Sequence, residues 1–137
     1  MNISMEQWGR DHWTTFHYVA IRCASHGGEI QRDKMRCDVG RHPHLAGGFA
    51  VLMSQVDTAR YPTRLKGAEE VEDHDDWDCM DDMMAAGLFI STGTGMHPHY
   101  ELTDLGWDVF RQISEYRGTR GAKVLDDWSP TLNRATP

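Results

Sequence analysis

The chain has 137 residues, 39% of them hydrophobic and 26% charged, with a formal net charge of −7. That length suits one domain with a buried core, and that composition excludes a disordered polar chain. No apolar run approaches a membrane span, so no membrane partner is expected.

Residues Met1 to Arg10 carry no basic start followed by an apolar block, so no signal peptide is expected. Three cysteines, Cys23, Cys37 and Cys79, are an odd and low number, which argues against a disulfide scaffold. The expectation is an intracellular, cytoplasmic protein. The charge is unevenly spread. Met1 to Gly67 holds nine Lys/Arg and six Asp/Glu, Ala68 to Phe110 holds twelve Asp/Glu and no Lys/Arg, and Arg111 onward holds five basic and three acidic residues. The middle block repels phosphate backbones and attracts basic surfaces or cations.

Ser4 and Gln7 form a possible capping box, with Asp11 as an alternative helix start. Trp8, His12, Phe16, Val19 and Cys23 then recur near helical spacing. The same run is rich in β-branched and aromatic residues, which suit a strand, and Gly27–Gly28 as a C-terminal stop decides for helix. Gln31 to Cys37 suits a second short helix with Ile30 and Met35 inward. Gly40, Pro43 and Gly47–Gly48 break regular structure, Phe49 to Arg60 suits another helix, and YPTRLKG reads as a strand or hairpin.

From Asp73 the signals are denser. Asp73 suits an N-cap, and Asp75, Asp76 and Asp78 in the first turn meet the positive end of the helix dipole. Trp77, Met80, Met84 and Leu88 give a stripe to bury, with Asp75, Asp78 and Asp82 on the far side. Gly87 ends this helix. Phe89–Ser91 and Tyr100–Leu102 have strand character around a glycine-rich tip. Thr103 caps a last helix whose inner face is Leu105, Val109, Ile113 and Tyr116, stopped by Gly118. This predicts an α+β fold in a single domain over 1–118, with a tail over 119–137 anchored by Leu125 and Trp128.

The segment Ala86-Gly87-Leu88, with Tyr100-Glu101-Leu102-Thr103-Asp104-Leu105-Gly106, resembles the wing region of MarR- and PadR-type winged-helix regulators. The resemblance covers about a third of the chain. It implies a winged-helix-like core of several helices with a small β-hairpin wing, and a recognition helix at Asp75 to Ala86. DHWTTF, YPTRLKG and HDDWDC also resemble small proteins of phages and mobile elements, which implies a bacterial host cell. The implied recognition helix departs from its family in charge. It offers Asp75, Asp76, Asp78, Asp81 and Asp82 where Arg, Lys, Asn or Gln would meet bases and phosphates.

Three functional readings follow. The first is a non-enzymatic phage or mobile-element interaction protein that binds a basic protein partner, such as a nucleic-acid-handling or defence protein, through Asp75, Asp76, Trp77, Asp78, Asp81 and Asp82. The second is a DNA-binding transcriptional regulator using a basic face of Arg32, Lys34, Arg36, Arg41, Tyr61, Arg64 and Lys66 on duplex DNA, dimeric through its first and last helices. The third is a zinc-stabilised module or small metal-dependent enzyme, with Cys23, His26, Cys37 and His42 as ligands and His44 nearby. A further cation site would use His74 with Asp75 or Asp78. His97 and His99 flank Pro98, and in extended geometry they would share a face fit for a metal or for pH sensing. No P-loop, G-x-S-x-G or H-E-x-x-H pattern is present, so no catalytic residues are assigned and a non-enzymatic role is favoured.

Overall fold

The computed structural model of the chain describes residues 2–31, 63–72, 74, 76–93, 98–120, 125 and 127–132. The expected helix at Phe49–Arg60, and that at Gln31–Cys37 beyond its first residue, lie outside them. Among the described residues the fold is α+β: helix α1 (Arg10–Ser25), strand β1 (Glu29–Gln31), a small hairpin of β2 (Thr63–Arg64) and β3 (Glu70–Val71), helix α2 (Asp76–Ala85), strands β4 (Phe89–Gly93) and β5 (Pro98–Leu102), and helix α3 (Asp104–Arg120). β1, β5 and β4 form an antiparallel sheet in that order, so the first strand lies against the last. Gln31 therefore belongs to a strand rather than to a helix start, and Ile30 is buried from that strand.

The run after Trp8 is helical because its burial recurs every three or four residues. His12, Thr15, Phe16, Val19, Ala20 and Cys23 are all buried on α1. A strand would have buried every second residue instead. Trp13, also fully buried, packs edge-on against Trp128 at 4.9 Å, and Phe16 lies 5.6 Å from Phe89 between ring centroids. Full burial of each such ring contributes roughly 1.5–3 kcal/mol. Leu125 is buried and Trp128 packs on the same core, so the segment after α3 is anchored as its two apolar residues imply.

The junction of α2, the hairpin and α3 explains the Leu-Thr-x-x-Gly signature physically. Gly87 takes φ +83°, and the amides of Gly87 and Leu88 donate back to Met84 and Met83 at 3.0 Å each, closing α2. Thr103 Oγ1 accepts the Gly106 amide at 2.9 Å and donates to the Gly87 carbonyl at 2.5 Å, so one hydroxyl caps α3 and ties it to the end of α2. A Cβ on Gly106 would run into the Leu88 backbone carbonyl. Gly118 does not stop α3, which continues to Arg120, and a Cβ there would meet nothing within 4 Å.

Two glycines of one helix therefore respond in opposite senses. Gly106→Ala destabilises by about 1–3 kcal/mol through the carbonyl clash. Gly118→Ala stabilises by about 0.5–1 kcal/mol through helix propensity. Urea unfolding midpoints of the two variants check both signs.

Between α1 and α3, His17 Nδ1 accepts from Arg117 at 3.0 Å and His17 Nε2 lies 3.3 Å from Ser114 Oγ. Burial, with the Arg117 charge second, lowers its pKa from 6.5 to about 4. The native ring stays neutral while the unfolded chain takes up a proton below 6.5. The native state thus loses stability as pH falls through that window, on the order of 1–3 kcal/mol. His17→Gln removes this slope. Denaturation midpoints at about pH 7 and about pH 4.5 should fall further for the parent than for the variant.

Candidate functional site

The densest polar constellation among the described residues is buried beside the N-terminus of α1. Asp82 of α2 is 1% exposed, His12 of α1 is 0% exposed, and His74, in the segment leading into α2, is 7% exposed. Both imidazoles bring Nε2 to the same carboxylate oxygen, Asp82 Oδ2, at 2.7 Å each. The other oxygen accepts the Ile3 amide at 2.9 Å. A carboxylate only accepts, so both rings carry their hydrogen on Nε2, and in a neutral imidazole the lone pair then lies on Nδ1.

Each partner is placed by its own local structure. Trp8 stacks on the His12 ring at 5.0 Å with an 8° interplanar angle, and its indole NH donates to the Ile3 carbonyl at 2.8 Å. Asp11, next to His12 and also buried, accepts the Arg64 amide at 2.6 Å and Arg10 Nε at 3.1 Å, so the start of α1 holds the β2–β3 hairpin. From that hairpin the buried Thr63 hydroxyl donates to the His74 carbonyl. Cys79, fully buried one turn before Asp82, completes the cluster: His12, His74 and Cys79 each bring one ligand atom within 4.8 Å of the others.

Asp82 corrects the expected helix register. It does not stand on the solvent side with Asp78. α2 buries Cys79, Met80, Asp82 and Met83, while Met84 is only half-buried. The inner face is thus rotated toward Cys79, because α2 packs against α1 and α1 supplies a polar partner at His12. Burial alone raises the Asp82 pKa, but hydrogen bonds from His12, His74 and the Ile3 amide, with the His12 charge, outweigh it and hold the group at about 2 against an ordinary 3.8.

The other expected site residues are dispersed. Asp81 is exposed and Asp78 half-buried, Asp75 lies outside the described residues, and so do the side chains of Asp76 and Trp77. Cys23 faces the sheet, where its thiol donates to the Tyr100 carbonyl at 3.5 Å, whereas His26 is exposed with Nδ1 on the Arg22 carbonyl at 2.8 Å. Burial, then Glu29 and Glu101, push the Cys23 thiol up to about 12. Cys23 and His26 thus have separate partners, one buried and one exposed, and Cys37, His42 and His44 lie outside the described residues. Of the basic face, Arg64 is half-buried and Lys66 donates to Ser129 Oγ, while Arg32, Lys34, Arg36, Arg41 and Tyr61 lie outside. His99 donates from Nδ1 to Glu29 Oε1 at 2.8 Å across β5 and β1, and His97 lies outside.

A groove of about 820 Å³ borders Asp82, lined also by Ile3, Met5, Ala86, Leu105 and Leu132. No protein-family model matches the chain, and no curated protein or solved structure matches it either.

Asp82 yields a signed pH test. Its native pKa lies below the unfolded value, so its contribution is complete above about pH 4 and is lost as pH falls toward 2. At about pH 7, Asp82→Asn should cost about 2–3 kcal/mol, and the gap between parent and variant should close in acid. Urea unfolding at several pH values reads both; a gap that persists in acid contradicts the assignment.

Proposed function

We propose that the chain is a non-enzymatic interaction module with a winged-helix-like core, binding a basic protein surface through the acidic flank formed by the β2–β3 hairpin and α2. One observation carries this reading. From Ala68 to Phe110 the chain holds twelve carboxylates and no Lys or Arg, and Glu69, Glu70, Glu72 and Asp81 are exposed there with Asp78 half-buried. Such a field speeds encounter with a cationic partner and discriminates against anionic ones.

Among the described residues the order is helix, strand, hairpin, helix, hairpin, helix, and the closing helix–hairpin–helix with β1 beside β5 supports the winged-helix-like reading. On that reading α2 would be the recognition helix. Its acidic side chains would be repelled by duplex phosphates, whose neutralisation supplies most non-specific affinity for DNA. The family likeness therefore supports the shape, and the charge points to a protein partner. Asp82 takes no part in this surface, because it is buried under two histidines.

The test uses a defined cationic probe such as protamine. Binding should weaken at least tenfold between about 50 and about 500 mM salt, as expected for exposed charges. The double variant Asp78→Asn, Asp81→Asn should weaken it about 5–10-fold at low salt. A duplex DNA gel shift at low salt should be absent. Salt-insensitive binding, or a shift of DNA by micromolar protein, sinks the reading.

A further inference from the structure

We propose that His12, His74 and Cys79 bind one zinc-class divalent ion, with Asp82 orienting the two imidazoles. The three donor atoms lie within 4.8 Å of one another and all three residues are buried. They come from three segments, α1, the segment after β3 and α2, so their convergence is a product of the tertiary fold and not of local sequence. Zinc bonds of about 2.0–2.3 Å place tetrahedral ligand atoms roughly 3.3–3.7 Å apart, so the cluster needs to contract by about an ångström.

The donor chemistry selects the ion. Two imidazoles and a thiolate are borderline to soft ligands, suited to zinc and unsuited to magnesium or calcium, which take oxygen. Charge also balances. A dication with one thiolate and the Asp82 carboxylate leaves the buried site neutral, the least costly state away from water. The Asp82 contacts match the way metal-bound histidines are usually held: each ring donates Nε2–H to a carboxylate and keeps its lone pair on the other nitrogen. Here one carboxylate oxygen serves both rings. Three protein donors leave a fourth position open to water.

This site is independent of the acidic flank, and its test does not touch that surface. The full chain is reduced, stripped with a chelator and titrated with cobalt(II). The expected result is one equivalent bound, with a thiolate-to-cobalt charge-transfer band. Cys79→Ser should abolish the band, His74→Ala should weaken binding at least about 100-fold, and Asp82→Asn about 10–100-fold. Cys23→Ser should leave the band unchanged. Circular dichroism monitors folding of each variant, and added zinc should raise the melting temperature of the parent but not of the His74→Ala protein. Absence of both band and melting shift in the parent overturns the proposal, as does a band that survives in Cys79→Ser.

Discussion

The described structure depends on one buried carboxylate. Asp82 holds the N-terminal segment through Ile3, helix α1 through His12 and the approach to α2 through His74. An isolated buried anion is expensive, and removing one partner of such a network costs more than the network contributes when whole. Asp82 is tolerated because donors from three segments meet it at hydrogen-bond distance. The constraint runs both ways. The chain must bring residues 3, 12, 74 and 82 together to satisfy the charge, and the satisfied charge then fixes how the segments sit. Thr63 and Asp11 extend the same logic outward, each spending a buried acceptor or donor on a backbone group of a neighbouring element.

Apolar packing and polar bonding therefore divide the work. Trp13, Phe16, Phe89, Val109, Ile113 and Leu125 form the core that drives collapse. That core fixes which faces are inside but leaves rotations about the helix axes poorly specified, since many apolar contacts are interchangeable in energy. The hydrogen bonds of Asp82 and the clash guarded by Gly106 have no such slack. At the α2–β4 and β5–α3 corners, Thr103 and Gly106 set the approach of two chain segments to within one backbone carbonyl.

Much of the secondary structure was legible in sequence because its signals are local. The burial of Phe16, Val19 and Cys23, the left-handed Gly87, the Thr103 cap and the anchoring of Leu125 and Trp128 each follow from spacing or backbone chemistry within a few residues. The candidate site was less legible for the opposite reason. His12, His74 and Cys79 are separated by up to 67 positions, and no spacing rule joins them. A helical wheel set by Trp77, Met80, Met84 and Leu88 puts Asp82 outside because it counts a carboxylate as a solvent residue, whereas Asp82 is buried. The informative signal was Cys79, three residues earlier on the same helix, and the aromatic Trp8 one turn before His12. Gly118 shows the opposite case: a glycine near a helix end reads as a stop, yet α3 continues to Arg120.

The two acidic features of α2 belong to different physical regimes, and this separates the two functional ideas. Asp81, on the water side, acts through a long-range field that salt screens within about 8 Å at physiological ionic strength. Asp82, on the protein side, acts through short bonds that salt barely reaches. A single helix can serve both because adjacent positions are rotated by about 100°, which turns neighbouring aspartates from solvent to core. The Asp81–Asp82 pair shows why charge counts alone misjudge such a helix: the exposed member governs what the surface attracts, and the buried member governs where the helix sits.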